Sequence, residues 1–224
     1  MRKHTIFVAL LALLATPITA SAAQEWVAGK NYYPVEPVQH TNVAAGKVEV
    51  LEVFSYGCPA CNAFNPVIQQ LRRALPPNAQ MNYLPAAFNK VEDWEMFQRA
   101  FLTAQILGAV DKTHDAIYDA VWKPDGPLAT MNGDKLRSPL PTIEDAARVY
   151  NRLAGVPVDK FVATAKSFTV QVRMKAADEQ VIAYHVDRTP TIIVNGKYRI
   201  TTESAGGPNQ VIDLVKYLVA KETQ

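Results

Sequence analysis

Cysteine is scarce in this 224-residue chain, which has two, and histidine is nearly so, with four. Two cysteines cannot staple a disulfide miniprotein, so a packed core must hold the fold. A content of 49% hydrophobic and 20% charged residues suits one globular domain or a domain with an insert. His40, His114 and His185 stand isolated, as surface or capping residues, and one C-x-x-C pair supplies too few ligands for a metal. No metal and no cofactor are expected. Asn62, not histidine, follows the second cysteine, which excludes c-type haem attachment. An excess of one charge is also missing. Removing Arg2 and Lys3 from 23 basic residues leaves 21 against 21 acidic ones. There is no basic field for nucleic acid or an anionic membrane surface.

Apolar runs of spanning length are absent too. The longest apolar core, Ile6 to Ala15, is too short to cross a bilayer. It follows the basic pair Arg2-Lys3 and precedes Pro17 and the A-x-A sequence Ala20-Ser21-Ala22. This is the pattern of a secretory signal peptide over residues 1–22, cleaved near Ala22-Ala23. The alternative, an uncleaved anchor, is disfavoured by length. Export changes the reading of the cysteines, since a disulfide persists outside the cytosol.

Both cysteines lie in Phe54-Ser55-Tyr56-Gly57-Cys58-Pro59-Ala60-Cys61, after an apolar strand over 48–54 and before a helical pattern of Phe64, Val67, Ile68, Leu71 and Leu75. A strand that turns into a helix at a C-x-x-C pair is the arrangement of thioredoxin-like redox proteins. The first helical turn leaves N–H groups unpaired and partly positive, so a sulfur there is stabilised as thiolate, the form that exchanges disulfides. Pro59 suits the first helical position. Cys58 is expected to be the exposed nucleophile and Cys61, one turn deeper, the resolving thiol. Pro66 falls inside the helical pattern and predicts a kink or break.

Further along, 80–84 reads as a second strand, with a short one near Asn31-Tyr32-Tyr33. From 89 to 168 the periodicity is helical: Trp94 to Leu107 on one face, His114 to Trp122, a capping box at Thr142 opening a helix that ends at Gly155, and a short helix from Pro157. Four prolines make 123–141 a long loop. A helix over 169–184 precedes two strands around Asn195-Gly196, a hairpin signal, and Asn209 caps a last helix. The order predicts an α/β, thioredoxin-like fold with an inserted all-helical domain: 23–88 as its first part, 89–168 as the insertion and 169–224 as its second part.

Taken with the leader and the inserted helices, Leu51-Glu52-Val53-Phe54, Cys58-Pro59-Ala60-Cys61 and Thr189-Pro190-Thr191 through Val194-Asn195-Gly196-Lys197-Tyr198 resemble the DsbA family of periplasmic dithiol oxidants. The resemblance covers essentially the whole chain after the leader. It implies that the Cys58–Cys61 disulfide is passed to reduced, unfolded exported proteins and restored by a DsbB-type quinone-linked reoxidase in the inner membrane. It further implies that Pro190 follows a cis peptide bond and turns the Thr189 backbone towards Cys58, and that Glu52 is a buried acid relaying protons to Cys61. The plainer alternatives are a trans proline opening a strand and a glutamate reaching solvent at a strand end. Tyr56 is a candidate wall of an apolar groove. A monomer is expected, because 23–48 is too short for a dimerisation domain. The rivals are a reductase or isomerase, and a non-enzymatic metal-binding or chaperone module with an inert bridge, the last weakened by how small a loop it would close.

The chain departs from the family pattern at three positions. Asn65 and Tyr83 stand where relatives can have glutamate and lysine, reducing the charged relay to Glu52. Ala60 stands where histidine is common, and alanine offers the Cys58 thiolate neither charge nor hydrogen bond. The protein is therefore expected to be a weaker oxidant than histidine-bearing members, and Ala60→His to raise its reduction potential. A glutathione redox titration placing the unaltered protein level with those members defeats this expectation.

Overall fold

The computed structural model describes residues 25–223; the leader and its cleavage point lie outside them. In chain order the elements are β1 (Tyr33–Pro34), β2 (Val48–Phe54), α1 (Pro59–Ala74), β3 (Ala79–Pro85), α2 (Trp94–Ile106), α3 (Val110–Trp122), β4 (Met131–Asn132), β5 (Lys135–Leu136), α4 (Ile143–Ala154), α5 (Val158–Ala165), α6 (Phe168–Ala183), β6 (Thr191–Val194), β7 (Tyr198–Thr201), α7 (Thr202–Ala205) and α8 (Pro208–Lys221). The five-stranded sheet runs β1-β7-β6-β2-β3; β3 is parallel to β2, and the other pairs are antiparallel. The fold is thus the thioredoxin-like mixed sheet with helices that the strand and helix order implied.

Strand β2 is buried along its whole length, which explains its nearly unbroken apolar sequence. Its alternation divides two cores. Val48 and Val50 meet Phe64, Ile68 and Leu71 of α1 and Val211, Leu214, Val215 and Leu218 of α8. Leu51 and Val53 face Ala177 and Val181 of α6. A third core joins Phe97, Phe101, Ile117, Tyr118, Tyr150 and Phe161 of the helical segment to Phe54, Tyr56, Cys58 and Cys61. The helices therefore close over the end of β2 where the cysteines lie.

Several expectations are corrected. Pro66 does not break α1, which is one helix: Phe64, Ile68 and Leu71 bury a face spanning the proline, and Pro66 itself points outward. Helix α3 starts at Val110 rather than at His114, and its Ala109 cap makes no side-chain bond. The 123–141 segment is not a plain loop: Met131 and Asn132 pair with Leu136 and Lys135 around Gly133, and Arg137 ties the segment back to the Gly126 and Ala129 carbonyls. The last helix opens at Pro208 after Gly207, with no cap from Asn209, because proline at the first position needs no N–H partner. The short α7, boxed by Thr201 and Ser204, escaped the sequence reading.

At Asn195-Gly196 both residues have positive φ, as the tight turn between β6 and β7 requires. A Cβ on Gly196 would fall onto the Gln39 carbonyl, and the Gly196 carbonyl accepts from Gln39 N–H at 3.1 Å. Gly196→Ala is therefore expected to destabilise the protein by about 1–3 kcal/mol in urea unfolding. A variant as stable as its parent would show that the 36–39 segment yields without cost.

Candidate active site

The dithiol sits where β2 ends and α1 begins. Cys58 is the N-cap residue of α1, in extended conformation, and Pro59 takes the first helical position. The Cys58 Sγ accepts from the Cys61 N–H at 3.4 Å and, as the protonated thiol, donates to the Thr189 carbonyl at 3.4 Å. The Thr189-Pro190 peptide is cis. Both cysteines are free thiols. Cys58 is buried at 4% exposure rather than exposed, because the Thr189 loop lies over it. Cys61 is fully buried.

The two sulfurs are driven apart chemically. Hydrogen bonding from the Cys61 side chain, helped by Thr189 and the N–H groups of Cys61 and Ala60, outweighs burial and lowers the Cys58 pKa to about 6. Burial, then the Cys58 sulfur and the Glu52 charge, push the Cys61 thiol well up. At neutral pH, Cys58 is thiolate and Cys61 thiol. That is the pairing of a nucleophile with a resolving group.

Glu52 points to the same sheet face as Val48 and Val50, beneath the dithiol. It is 1% exposed, and neither carboxyl oxygen has a hydrogen-bond partner. Burial, with the Asp115 and Cys58 charges, raises its pKa to about 8 against the opposing Arg72. The glutamate thus does not reach solvent, and it holds a proton near neutrality.

The turn before Cys58 is clasped from the helical segment. Trp94 packs on Gly57 so closely that a Cβ there would come within 2.7 Å of the indole Cδ1. The Trp122 Nε1–H donates to the Tyr56 carbonyl at 2.8 Å. Tyr56 is 1% exposed, so it is core and walls no groove. Its hydroxyl meets Nδ1 of His114 at 2.9 Å, and the His114 ring is 4.0 Å from that of Tyr83. His114 is neither a surface nor a capping residue: it is 2% exposed, and burial lowers its pKa to about 4, keeping it neutral. His40 and His185 are exposed, as expected. The signal missed was helical: His114, Ile117, Tyr118 and Val121 share one face, and all are buried. Trp94 and Trp122 gave no short-range sign of reaching the turn. Among the described residues no three His, Cys, Asp or Glu side chains gather as metal ligands.

A buried dithiol at a helix N-terminus, facing a cis-proline loop at the end of a mixed sheet, defines a thioredoxin-like thiol:disulfide oxidoreductase. The family model described as Thioredoxin matches residues 42–213. The thiol:disulfide interchange protein DsbA of Pseudomonas aeruginosa is 36% identical over 223 residues, covering 98% of this chain and 97% of its own. That of Azotobacter vinelandii is 37% identical over 197 residues, covering 87% and 83%. Crystal structures agree: Xylella fastidiosa DsbA has a TM-score of 0.75 at 30% identity, covering 88% of this chain and 97% of its own. Pseudomonas aeruginosa DsbA has 0.72 at 35%, covering 88% and 94%. This chain belongs to the DsbA family of thiol:disulfide interchange proteins and is a thiol:disulfide oxidoreductase.

The Cys58 value sets a pH dependence. Alkylation of the reduced protein by iodoacetamide is expected to rise through a midpoint near pH 6, about 2.5 units below a free cysteine. The folded value lies below the unfolded one, so the thiolate's contribution to the reduced fold is complete above roughly pH 8.5 and lost as pH falls through about 6. A midpoint above 8 would refute the hydrogen-bond account of this sulfur.

Proposed function

We propose that the protein works in the periplasm, after cleavage near Ala22-Ala23, by donating the Cys58–Cys61 disulfide to reduced, unfolded exported proteins. The single observation behind this reading is the hydrogen-bonded Cys58 sulfur, held as thiolate at neutral pH. Whatever stabilises the reduced form makes the disulfide easier to give away.

The electron count is simple. A substrate thiolate attacks the Cys58 sulfur; the Cys58–Cys61 bond breaks, and Cys61 leaves with the electron pair. Cys61 takes a proton from Glu52, which holds one near neutral pH. A second substrate thiolate then attacks the substrate sulfur of the mixed disulfide and expels Cys58 as thiolate. The substrate loses two electrons and the protein gains them.

Cys58 is the nucleophile in the reverse, reoxidising direction, and Cys61 is the resolving thiol. The Thr189 backbone, turned at cis Pro190, is the edge along which an extended substrate strand lies. A DsbB-type quinone-linked protein of the inner membrane restores the disulfide. The chain acts as a monomer, with 89–168 as a helical insertion between 23–88 and 169–224.

The test is a redox titration of the mature protein against glutathione, joined to a trapping assay. The potential is expected well above the roughly −270 mV of thioredoxin. Cys61→Ala, loaded beforehand with glutathione on Cys58, is expected to pass into a mixed disulfide with a reduced, single-cysteine unfolded substrate as glutathione leaves as thiolate, and Cys58→Ser treated in the same way to form none. A potential at or below the thioredoxin value would make the protein a reductase instead, and adducts on Cys61 would reverse the two roles.

A further inference from the structure

Glu52 is enclosed, yet the proton it gives to Cys61 must be replaced from solvent. A polar side chain that reaches towards solvent, Tyr83, stands on the neighbouring strand. In the parallel register of β2 and β3, Glu52 stands opposite Tyr83. The Tyr83 hydroxyl accepts from Arg72 at 3.2 Å, which leaves its own proton free to donate inward. Arg72 in turn donates to Asp115 at 2.7 Å. Arg72 and Asp115 are 39% and 36% exposed, so the pair joins solvent to the buried side. One Asp115 oxygen, Oδ1, is nevertheless buried without a partner, like both oxygens of Glu52.

We infer that Arg72 and Asp115 are positioning residues for the disulfide chemistry, acting on Cys61 through Tyr83 and Glu52 as the charge gate of the proton's route. This rests on the reading of Glu52 as the proton donor to Cys61. The gate has two opposed halves. The guanidinium favours the Glu52 carboxylate, and the Asp115 carboxylate disfavours it. Within the pair the Asp115 effect is the larger, and removing either member moves Glu52 in a direction fixed by charge.

The other groups facing Glu52 leave the pair as the adjustable element. From α1 come Cys58 and Cys61, which are the reacting sulfurs. From α3 comes Tyr118, whose pKa is pushed well up, and from β3 Tyr83, raised to about 12; both are neutral across the working range. His114, whose ring lies tilted 4.0 Å from that of Tyr83, is neutral as well. Arg72 is the one cation facing Glu52 among the described residues.

The experiment follows reduction of the oxidised full mature protein by excess glutathione in stopped flow, with rates divided by the glutathione thiolate fraction. The parent profile is expected to fall at a pH above the ordinary glutamate range and no higher than about 8, as Glu52 loses the proton it donates, because the oxidised protein has no Cys58 charge to add to the rise. Asp115→Asn is expected to move that limb down and Arg72→Ala to move it up, each by about half a unit or more. Arg72→Lys, which keeps the charge, is expected to stay near the parent. Repeated in a Glu52→Gln background, none of these substitutions should move the profile. If Glu52→Gln itself retains the limb, the proton-donor reading fails and the gate with it. If Glu52→Gln removes the limb but the Arg72 and Asp115 variants leave it in place, the gate alone is wrong. Shifts of the same sign for both, or equal shifts in the Glu52→Gln background, would mark a structural effect and also overturn it.

Discussion

The site depends on one hydrogen bond geometry: a sulfur at the N-cap of α1 receiving the Cys61 N–H. An N-cap acceptor is ordinarily a serine, threonine or aspartate oxygen that satisfies an orphan donor and settles the helix. Here the acceptor is the reactive atom. The same contact that starts the helix stabilises the charge on the nucleophile, so folding and reactivity share a single constraint. The neighbouring geometry respects it. Pro59 supplies no competing N–H, and the helix continues past Pro66 on the strength of its buried face.

Burial then divides the labour between two chemically identical side chains. Cys58 lies at the boundary, where backbone donors and Thr189 reach it; Cys61 lies under the helix, where the nearest ionisable neighbours are acidic. No metal or cofactor is needed for the separation. A low-dielectric pocket, a helix end and one carboxyl group suffice.

Much of this was legible in order along the chain. The apolar run of β2 had to be a central strand, the C-x-x-C pair had to fall at a strand-to-helix junction, and Thr142 and Gly155 punctuated α4 as capping chemistry demands. What escaped reading depends on contacts remote in sequence. Cys58 reads as an exposed thiol because nothing near it foretells that residue 189 folds over it, 131 positions later. His114 looked isolated because its partners Tyr56 and Tyr83 come from β2's end and from β3. Pro66 works in the opposite sense: the local rule permits a break, but the buried face of α1 keeps the helix whole. Charge networks are hardest of all, since Arg72 and Asp115 are ordinary surface residues until the fold sets them side by side.

The clasp of Trp94 and Trp122 on the active-site turn links units that the chain order keeps apart. The cysteines are supplied by the sheet-and-helix scaffold, but the backbone that carries them is held by α2 and the end of α3. A half-folded copy, with its sheet formed and its helical segment still open, therefore lacks the constraint that shapes the turn. The active-site turn is thus a joint product of both parts of the fold, and its shape reports that they have met.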